Sequence, residues 1–501
     1  MSSSPGGVNR TPVVSPLVTA PTEDLPQEAQ KALLTDPDDH RRLVLVELRV
    51  SAGDDGRVIA ERFLSAFDVV FPTGNVPSPH PVGRNYMRCL LSRDEIGRLV
   101  GNDQALKLIY HIWPDLVVEA HLDRSLTTIK ADAANRSYGC SGSGVVWAVL
   151  DSGIDARHPH FAAYRNLCAD NVKSLHRDFT VSPSADVVRD PLADPFGHGT
   201  HVAAIIAGQA PADPSALRIA VNEPTAEGWP NWISRSVTDG CVLSGVAPRA
   251  NLVSLRVLDD FGRTVSSAVI DALAYVGEVN RGGRELLIHG VNMSLGCSWF
   301  PRDFAAGQSP LCKEIDLLVG SGVVAVVSAG NSGAGTTAMG GAASIRGETA
   351  DVFGQLSTIT EPGTAASAIT VGSVHRYRPH TYGVSFDSSK GPTLDGRRKP
   401  DLVAPGERIT SAATGQLASG IAIFDTNGPA GRADYIEDSG TSMAAAHVSG
   451  AIAAFLSART EFVGQPQLVR KIFAESASDI GRHEFFQGAG VVDLMRALSN
   501  T

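Results

Sequence analysis

One serine is a candidate nucleophile because of the residues around it. Ser442 lies in the segment 439–447, Ser-Gly-Thr-Ser-Met-Ala-Ala-Ala-His, where a strand-like run gives way to an apolar helix-forming stretch. A serine hydroxyl is nearly inert at its free pKa, so it attacks a carbonyl only when a base and an orienting acid lie close to it. Candidates for both occur earlier in the chain.

His198 and Asp151 are the candidate base and acid. Glycines flank His198, and the apolar run 202–207 follows it, which predicts that His198 opens a buried helix. Asp151 ends the hydrophobic strand-like run 145–151, and α/β folds build their sites at the carboxyl ends of parallel strands. The pattern predicts a serine whose proton passes to a histidine held by an aspartate.

The chain order Asp, His, Ser is that of subtilisin, and the surrounding motifs resemble those of subtilisin-like serine proteases. The resemblance runs from about Gly144 to the C-terminus. It includes further short motifs in the family's order, which are Gly-Val-Ala-Pro at 245–248, Asn-Met-Ser-Leu-Gly at 292–296, Ser-Ala-Gly-Asn at 328–331, Gly-Pro-Thr at 391–393, Lys-Pro-Asp at 399–401 and Ala-Pro-Gly at 404–406. The resemblance implies a serine endopeptidase that hydrolyses peptide bonds through an acyl-enzyme.

The same resemblance assigns substrate-binding groups. Asn331 matches the family's side-chain donor to the oxyanion, with the Ser442 backbone N–H as the second donor. An extended peptide is expected to pair with two stretches of the cleft, and a third stretch resembles a wall of the primary specificity pocket. The expected substrate-binding residues are Gly262, Arg263, Thr264, Ser294, Leu295, Gly296, Ser328, Ala329 and Gly330.

Metal binding is not expected. His198 and His201 form an H-x-x-H pair, but no glutamate follows as in the zinc protease motif. Asp186, Asp190 and Asp194 precede His198, and a solvated acidic loop is the favoured interpretation over a calcium site. We therefore expect that no cofactor is required, with structural calcium as an unsupported alternative.

Two positions depart from the family pattern. Ala446 stands where the family usually has proline, and Ala204 stands where it usually has glycine. Extra room at Ala446 suggests an alternative in which an amine competes with water for the acyl-enzyme, giving a peptide transferase or ligase. The second alternative is a catalytically silent peptide-binding protein. The intact triad and Asn331 favour the peptidase.

Beyond Gly144, apolar runs of strand length alternate with helical patterns. The runs 252–258, 286–293 and 323–328 lack polar alternation, which is typical of parallel strands covered on both faces. Residues 265–276 repeat apolar residues at helical spacing. The expected fold class is α/β, a subtilisin-like parallel sheet with helices on both faces, preceded by a small ferredoxin-like α+β domain.

That preceding domain is predicted at 39–126, after a disordered tail at 1–38. Its pattern is β-α-β-β-α-β, with the second strand at 68–71 and the last at 106–112. Its placement resembles the propeptide of subtilisin-like enzymes, which implies a folding aid and intramolecular inhibitor in a self-processing precursor; the alternative is an accessory domain. Residues 127–143 are predicted as a linker and 144–501 as the peptidase domain.

The composition of the chain limits which classes of binding partner are expected. The 501 residues carry a formal charge of -10 with a pI near 5.8, which disfavours nucleic acid and anionic membranes. Neither a signal peptide nor a membrane span is evident, so a cytoplasmic protein is expected, with export by another route left open. The six cysteines are expected to be free thiols, with a Cys297–Cys312 disulfide as the alternative in an oxidising compartment.

Overall fold

A computed structural model shows two compact units, Met1–Glu119 and Ala120–Thr501. The boundary between the two units therefore falls after Glu119, whereas the sequence pattern predicted that the first domain ends at residue 126. The structure describes residues 13–14, 41–49, 56–72, 74–82, 86–114, 124–180, 189–211, 217–222, 232–235, 243–297, 305–336, 352–419 and 433–501. The sequence predicts two insertions relative to a minimal enzyme of the family, residues 209–243 and 332–361, and much of each lies outside these ranges.

The first unit is built on a five-stranded sheet in the order β1-β5-β2-β4-β3. Its strands are β1 (Val13–Val14), β2 (Arg42–Leu48), β3 (His80–Val82), β4 (Tyr86–Leu91) and β5 (Ile109–Pro114), and its helices are α1 (Gly56–Val70), α2 (Arg93–Val100) and α3 (Asp103–Leu108). The succession β2-α1-β3-β4-α2-α3-β5 follows the predicted β-α-β-β-α-β pattern with the additional helix α3 before the last strand. A capping box of Ser92 and Glu95 starts α2, because each residue's side chain accepts the other's backbone N–H.

This unit differs from the sequence prediction at three places. Most of the expected strand 68–71 instead belongs to α1, which ends at Val70, because Phe63, Phe67 and Phe71 recur at helical spacing and their rings contact one another in succession at tilted angles. The expected strand 106–112 begins as α3, so β5 starts only at Ile109. In the expected tail, β1 pairs in parallel with β5.

The second unit carries a seven-stranded sheet in the order β16-β15-β12-β11-β6-β10-β7, and all its pairs are parallel. The unit also has a four-stranded sheet in the order β17-β18-β8-β9 and a two-stranded antiparallel sheet of β13 and β14. The strands are β6 (Val146–Asp151), β7 (Arg177–Asp178), β8 (Ile219–Asn222), β9 (Trp232–Arg235), β10 (Asn251–Arg256), β11 (Gly290–Met293), β12 (Val324–Ser328), β13 (Ala334–Thr336), β14 (Val352–Gly354), β15 (Ile369–His375), β16 (Leu402–Glu407), β17 (Ile409–Ala412) and β18 (Tyr435–Asp438).

Helices cover both faces of the parallel sheet, as predicted. The α-helices described in this unit are α4 (Arg124–Thr128), α5 (Ala131–Tyr138), α6 (His198–Ile206), α7 (Ser266–Val279), α8 (Pro310–Gly320), α9 (Pro379–Tyr382), α10 (Gly415–Ser419), α11 (Thr441–Ala458), α12 (Pro466–Ser476), α13 (Glu484–Gln487) and α14 (Leu494–Ser499). Trp147 and Val149 of β6 belong to the core shared with α6 and α11, whereas Ala148 and Leu150 belong to the core shared with α7 and α8. Burial on both faces explains the unbroken apolar run.

Residues 127–143 are not the linker that the sequence suggested. Ile129, Ala134 and Cys140 are buried in the core that α11 and α14 also build. Ser125 Oγ lies 2.7 Å from His447 Nε2, a ring buried in α11. The chain from Arg124 onward is thus part of the peptidase unit. The prediction failed because short polar helices with few apolar positions resemble a linker in sequence.

The catalytic helix α11 is a core helix. Within the described ranges it is the one helix long and apolar enough to cross a membrane, but 83% of its residues are buried inside the protein. Ala446 is fully buried, and α11 runs through it without interruption. The absence of proline there leaves the first turns of the helix intact.

The described cysteines are free thiols. Cys297 and Cys312 are both among them, so the alternative disulfide between them is not formed. Cys241 lies outside the described residues.

Candidate active site

The end of β6 and the start of α6 bring Asp151 and His198 together. His198 Nδ1 lies 2.8 Å from Asp151 Oδ1 and 3.0 Å from Asp151 Oδ2. The two elements touch at Gly199, where an added Cβ would lie 2.2 Å from the Gly153 carbonyl oxygen. Because a carboxylate faces Nδ1, that nitrogen carries the proton, and Nε2 is left with the lone pair of a base.

Ser442 is the second residue of α11. Its hydroxyl donates to the Ser294 carbonyl oxygen over 3.2 Å, and the Ser294 hydroxyl donates to the Ser442 carbonyl oxygen over 3.0 Å. No hydrogen bond joins Ser442 to His198 in the part of the chain that the structure describes. Catalytic hydrogen bonds are often long in a free enzyme and form when substrate binds. Rotation of one side-chain torsion redirects the Ser442 hydroxyl.

Asn331 is held by the residue before the nucleophile. The Thr441 backbone N–H and hydroxyl both donate to Asn331 Oδ1 over 2.9 Å. A backbone N–H can only donate, so the atom that faces it must be the amide oxygen. The Asn331 NH₂ group is thereby left to donate elsewhere. The Gly330 N–H donates to the Thr441 hydroxyl over 3.1 Å and completes this link.

His198 is surrounded by negative charge. Burial of the ring works against its charged form, but Asp151, Asp438 and Asp194 outweigh burial and raise the pKa of His198 to about 9. One turn further along α6, burial lowers the pKa of His201 to about 4. The two histidines of the H-x-x-H pair therefore differ in function, because only His198 is held by a carboxylate.

Asp194 is buried next to the start of α6, which the sequence analysis did not predict. The expectation of a solvated loop is wrong for Asp194, which is 3% exposed. Its carboxylate accepts from Ser152, Gly197 and Thr200. A carboxylate four residues before the base was the available signal, since acidic groups cap helix starts. Within the described residues, no group of three or more His, Cys, Asp or Glu side chains is arranged to hold a metal ion.

Two of the three predicted substrate stretches line one cavity. This cavity of about 580 Å³ lies beside His198 and Phe196, and its wall includes residues 262–264 and 294–296. Val269, Leu258, Leu311 and the exposed thiol of Cys297 complete much of the lining. Gly262 has a positive φ of 72°, and an added Cβ would lie 2.6 Å from the Phe196 ring, so this wall needs glycine.

The third predicted stretch, 328–330, does not line that cavity. Ser328 and Ala329 are buried, and Thr360 donates to the Ala329 carbonyl oxygen through both its N–H and its hydroxyl. A Cβ added at Gly296 or at Gly330 would lie 2.7 or 2.5 Å from Thr360 Oγ1. Thr360 therefore occupies the space next to these two glycines. The sequence offered no signal for this role, because Thr360 lies in the insertion 332–361.

A second cavity, of about 700 Å³, begins at Asn331 and Gly440. Arg408 and Glu407 contribute charge to its lining, and Phe386 contributes an exposed aromatic ring. Asn331 and Gly440, the residue before α11, thus line a cavity whose wall does not include His198.

In this fold, Asp151 ends a strand of the parallel sheet, and His198 and Ser442 each lie at the start of a helix. This arrangement is typical of one class of serine peptidases. The sequence pattern of the subtilase family matches residues 142–491, and the chain belongs to that family.

Individual relatives agree with the family assignment. Subtilisin E of Bacillus subtilis is 28% identical over 375 residues, covering 74% of this chain and 70% of that protein. The serine protease AprX of the same species is 26% identical over 384 residues, covering 75% and 71%. Pyrolysin of Pyrococcus furiosus is 30% identical over 317 residues, covering 57% of this chain but 19% of pyrolysin. The chain is similar to a serine endopeptidase over most of its length.

Proposed function

We propose that the protein is a serine endopeptidase that cleaves extended peptides through an acyl-enzyme on Ser442. The observation that carries the proposal is the 2.8 Å contact between His198 Nδ1 and Asp151 Oδ1, because it gives Nε2 the lone pair of a general base. Membership of the subtilase family supports the same chemistry.

The proposed reaction begins when the Ser442 hydroxyl turns from the Ser294 carbonyl toward His198 Nε2. His198 takes the proton as Ser442 attacks the peptide carbonyl, and Asp151 stabilises the imidazolium. His198 then passes this proton to the departing amine, and water releases the acyl group by the reverse path. The Asn331 NH₂ group and the Ser442 backbone N–H are the proposed donors to the carbonyl oxygen as it becomes an anion.

The proposed peptide substrate pairs as a strand with residues 262–264 and 294–296, with its side chains in the cavity beside His198. The lining residues Leu258, Val269 and Leu295 favour apolar side chains there. Because Asn331 lies at the cleavage point, the second cavity next to it is proposed to receive the peptide on the other side of the scissile bond.

The first unit is proposed to be an intramolecular inhibitor and folding aid that the peptidase removes by self-processing. Its β-α-β-β-α-β pattern and its place before the peptidase unit support this. Since α4 and α5 contribute to the peptidase core, the proposed cut lies before Arg124.

Intact mass spectrometry of purified wild type and Ser442→Ala tests both proposals. Loss of an N-terminal fragment in the wild type alone, with a new N-terminus before Arg124, supports self-processing. A fluorophosphonate that labels the wild type but not Ser442→Ala supports the activated serine. Labelling of an uncut wild type would retain the peptidase and overturn self-processing, whereas no labelling would favour the silent peptide-binding protein.

A further inference from the structure

We infer that Asp194 is a positioning residue for His198, whose carboxylate holds the start of α6 against the end of β6 and places a second buried negative charge near the catalytic base. The inference rests on the proposed function of His198 as that base. The hydrogen bonds of the Asp194 carboxylate are the evidence for this inference.

Donors surround both oxygens of the Asp194 carboxylate. Oδ1 accepts from the Gly197 N–H over 2.7 Å and from the Ser152 hydroxyl over 2.8 Å. Oδ2 accepts from the Thr200 N–H over 2.8 Å and from the Thr200 hydroxyl over 2.7 Å. That hydroxyl itself accepts from the Asp155 N–H, so its proton points to Asp194. Burial raises the pKa of Asp194, but this many donors hold the group as a carboxylate.

Two of these donors, the N–H groups of Gly197 and Thr200, are backbone amides at the start of α6. The helix start needs acceptors for its first N–H groups, and the N-cap residue Gly197 has no side chain to supply one. Asp194 accepts from Gly197 and Thr200, while the Ser152 hydroxyl accepts from Gly199 over 2.9 Å. His198 lies between these tethered residues. Its backbone position is therefore set by Asp194 and Ser152.

Ser152 joins Asp194 to the acid that orients the base. Its hydroxyl lies 2.8 Å from Asp194 Oδ1 and 3.3 Å from Asp151 Oδ1, and its N–H donates to Asp151 Oδ1 over 2.8 Å. All three residues are buried. The Ser152 hydroxyl thus connects Asp151, which holds the His198 ring, to Asp194, which holds the start of α6.

Asp, Ser, Thr and Asn all cap helix starts, but of these only Asp also brings a negative charge, which here lies near His198. The groups that face His198 are Asp151 from β6, Asp438 from β18, Asp194 from the loop before α6 and the neutral His201 from α6 itself. When His198 takes the proton of Ser442 it becomes a cation, and a fixed negative charge near it favours that form.

The titration of His198 by NMR tests the inference without any need for turnover. Full-length Ser442→Ala is compared with Ser442→Ala carrying Asp194→Asn and with Ser442→Ala carrying Asp190→Asn. Asp190 is the matched control, because it lies in the same loop but its carboxylate accepts from Leu192 instead of from α6. We expect the pKa of His198 to fall by about one unit, a tenfold loss of proton affinity, with Asp194→Asn and to stay unchanged with Asp190→Asn. Equal pKa values in all three proteins, or equal falls in both variants, would overturn the inference.

Kinetics of the Ser442-containing enzyme give the second readout. At a pH above about 10, where His198 is neutral in both proteins, Asp194→Asn should lower kcat per active site by about 10-fold to 100-fold with little change in KM, because misplacing a base by about an ångström has that cost. A loss explained wholly by fewer fluorophosphonate-reactive sites would mean a structural role and would overturn the inference. Absence of reactive Ser442 in the wild type would refute the proposed function, while the NMR comparison would still decide the role of Asp194.

Ser152→Ala is the variant to use if Asp194→Asn does not fold. It removes one hydroxyl and keeps both carboxylates, so kcat per active site should fall several-fold at unchanged KM. A Ser152→Ala enzyme with the kcat of the wild type would contradict the coupling between Asp194 and the site.

Discussion

Thr441 donates to Asn331 Oδ1 through both its backbone N–H and its hydroxyl, each over 2.9 Å. The residue that precedes the nucleophile thus orients the amide proposed to stabilise the oxyanion. The start of α11 therefore determines both the position of Ser442 and the orientation of the Asn331 amide. This relationship makes the role of Asn331 testable.

Asn331→Ala should lower kcat and leave KM nearly unchanged, because the lost donor acts on the transition state. Loss of the corresponding donor in subtilisin costs about 10²–10³-fold in kcat, and we expect the same range here. Thr441→Val is the graded control, since it keeps the N–H that holds Asn331 and removes only the hydroxyl. Steady-state kinetics on a peptide substrate would contradict the assignment if Asn331→Ala raised KM alone.

The activity should rise with pH over the alkaline range. His198 must be neutral to accept a proton, and the nearby carboxylates raise its pKa to about 9. We therefore expect kcat/KM to increase with pH and reach half of its maximum near pH 9. Asp438→Asn should move this midpoint down, and Asn in place of the exposed Asp170 should not. If Asp438→Asn left the midpoint of the pH profile unchanged, the nearby carboxylates would not be what raises the pKa of His198.

The same shift predicts how stability depends on pH. The folded-state pKa of His198 lies above its ordinary value near 6.5, so its charged form stabilises the fold fully below that value. This contribution, at most roughly 3 kcal/mol, is lost as pH rises through about 9. Denaturant unfolding of Ser442→Ala with and without His198→Gln measures it. The difference between the two free energies of unfolding should shrink between pH 6.5 and pH 9.

Asp401 should be needed for stability. It lies between Lys399, which is 1% exposed, and Arg470, and Lys399 Nζ donates to it over 2.7 Å. Asp401→Asn leaves the Lys399 charge buried without its counterion, which costs about 3–5 kcal/mol. Asp395→Asn is the control, because it breaks a half-exposed pair with Arg397 worth about 0–1 kcal/mol. Similar denaturation midpoints for both variants would refute this prediction.

The segment 127–143 should behave as core. Ile129 is fully buried and its carbonyl accepts from the Leu494 N–H over 3.0 Å. Ile129→Ala should lower the free energy of unfolding by about 2–5 kcal/mol. Arg136→Ala, on the exposed side of α5, should change it by less than about 1 kcal/mol. Equal and small effects in thermal or urea unfolding would restore the linker interpretation.

Much of the fold was predictable because local patterns determine it. The unbroken apolar runs at β6, β11 and β12 indicated strands buried on both faces, and the structure has them in one parallel sheet. The strand 68–71 was mispredicted because four apolar and acidic residues fit either a strand or the end of α1. Phe63, Phe67 and Phe71 are buried together in the core of the first unit, and their spacing of four residues was a local signal for the helix that the strand prediction did not use.

Asp151, His198 and Ser442 were recognisable from the amino-acid sequence alone, since a strand end, flanking glycines and an apolar helix start each mark one of them locally. Tertiary structure alone decided that Thr360 fills the space beside Gly330 and that Ser125 meets His447 across 322 positions. Local geometry depends on neighbours along the chain, whereas these contacts depend on how distant segments pack. The catalytic groups could therefore be named in advance, and the residues that hold them in place could not.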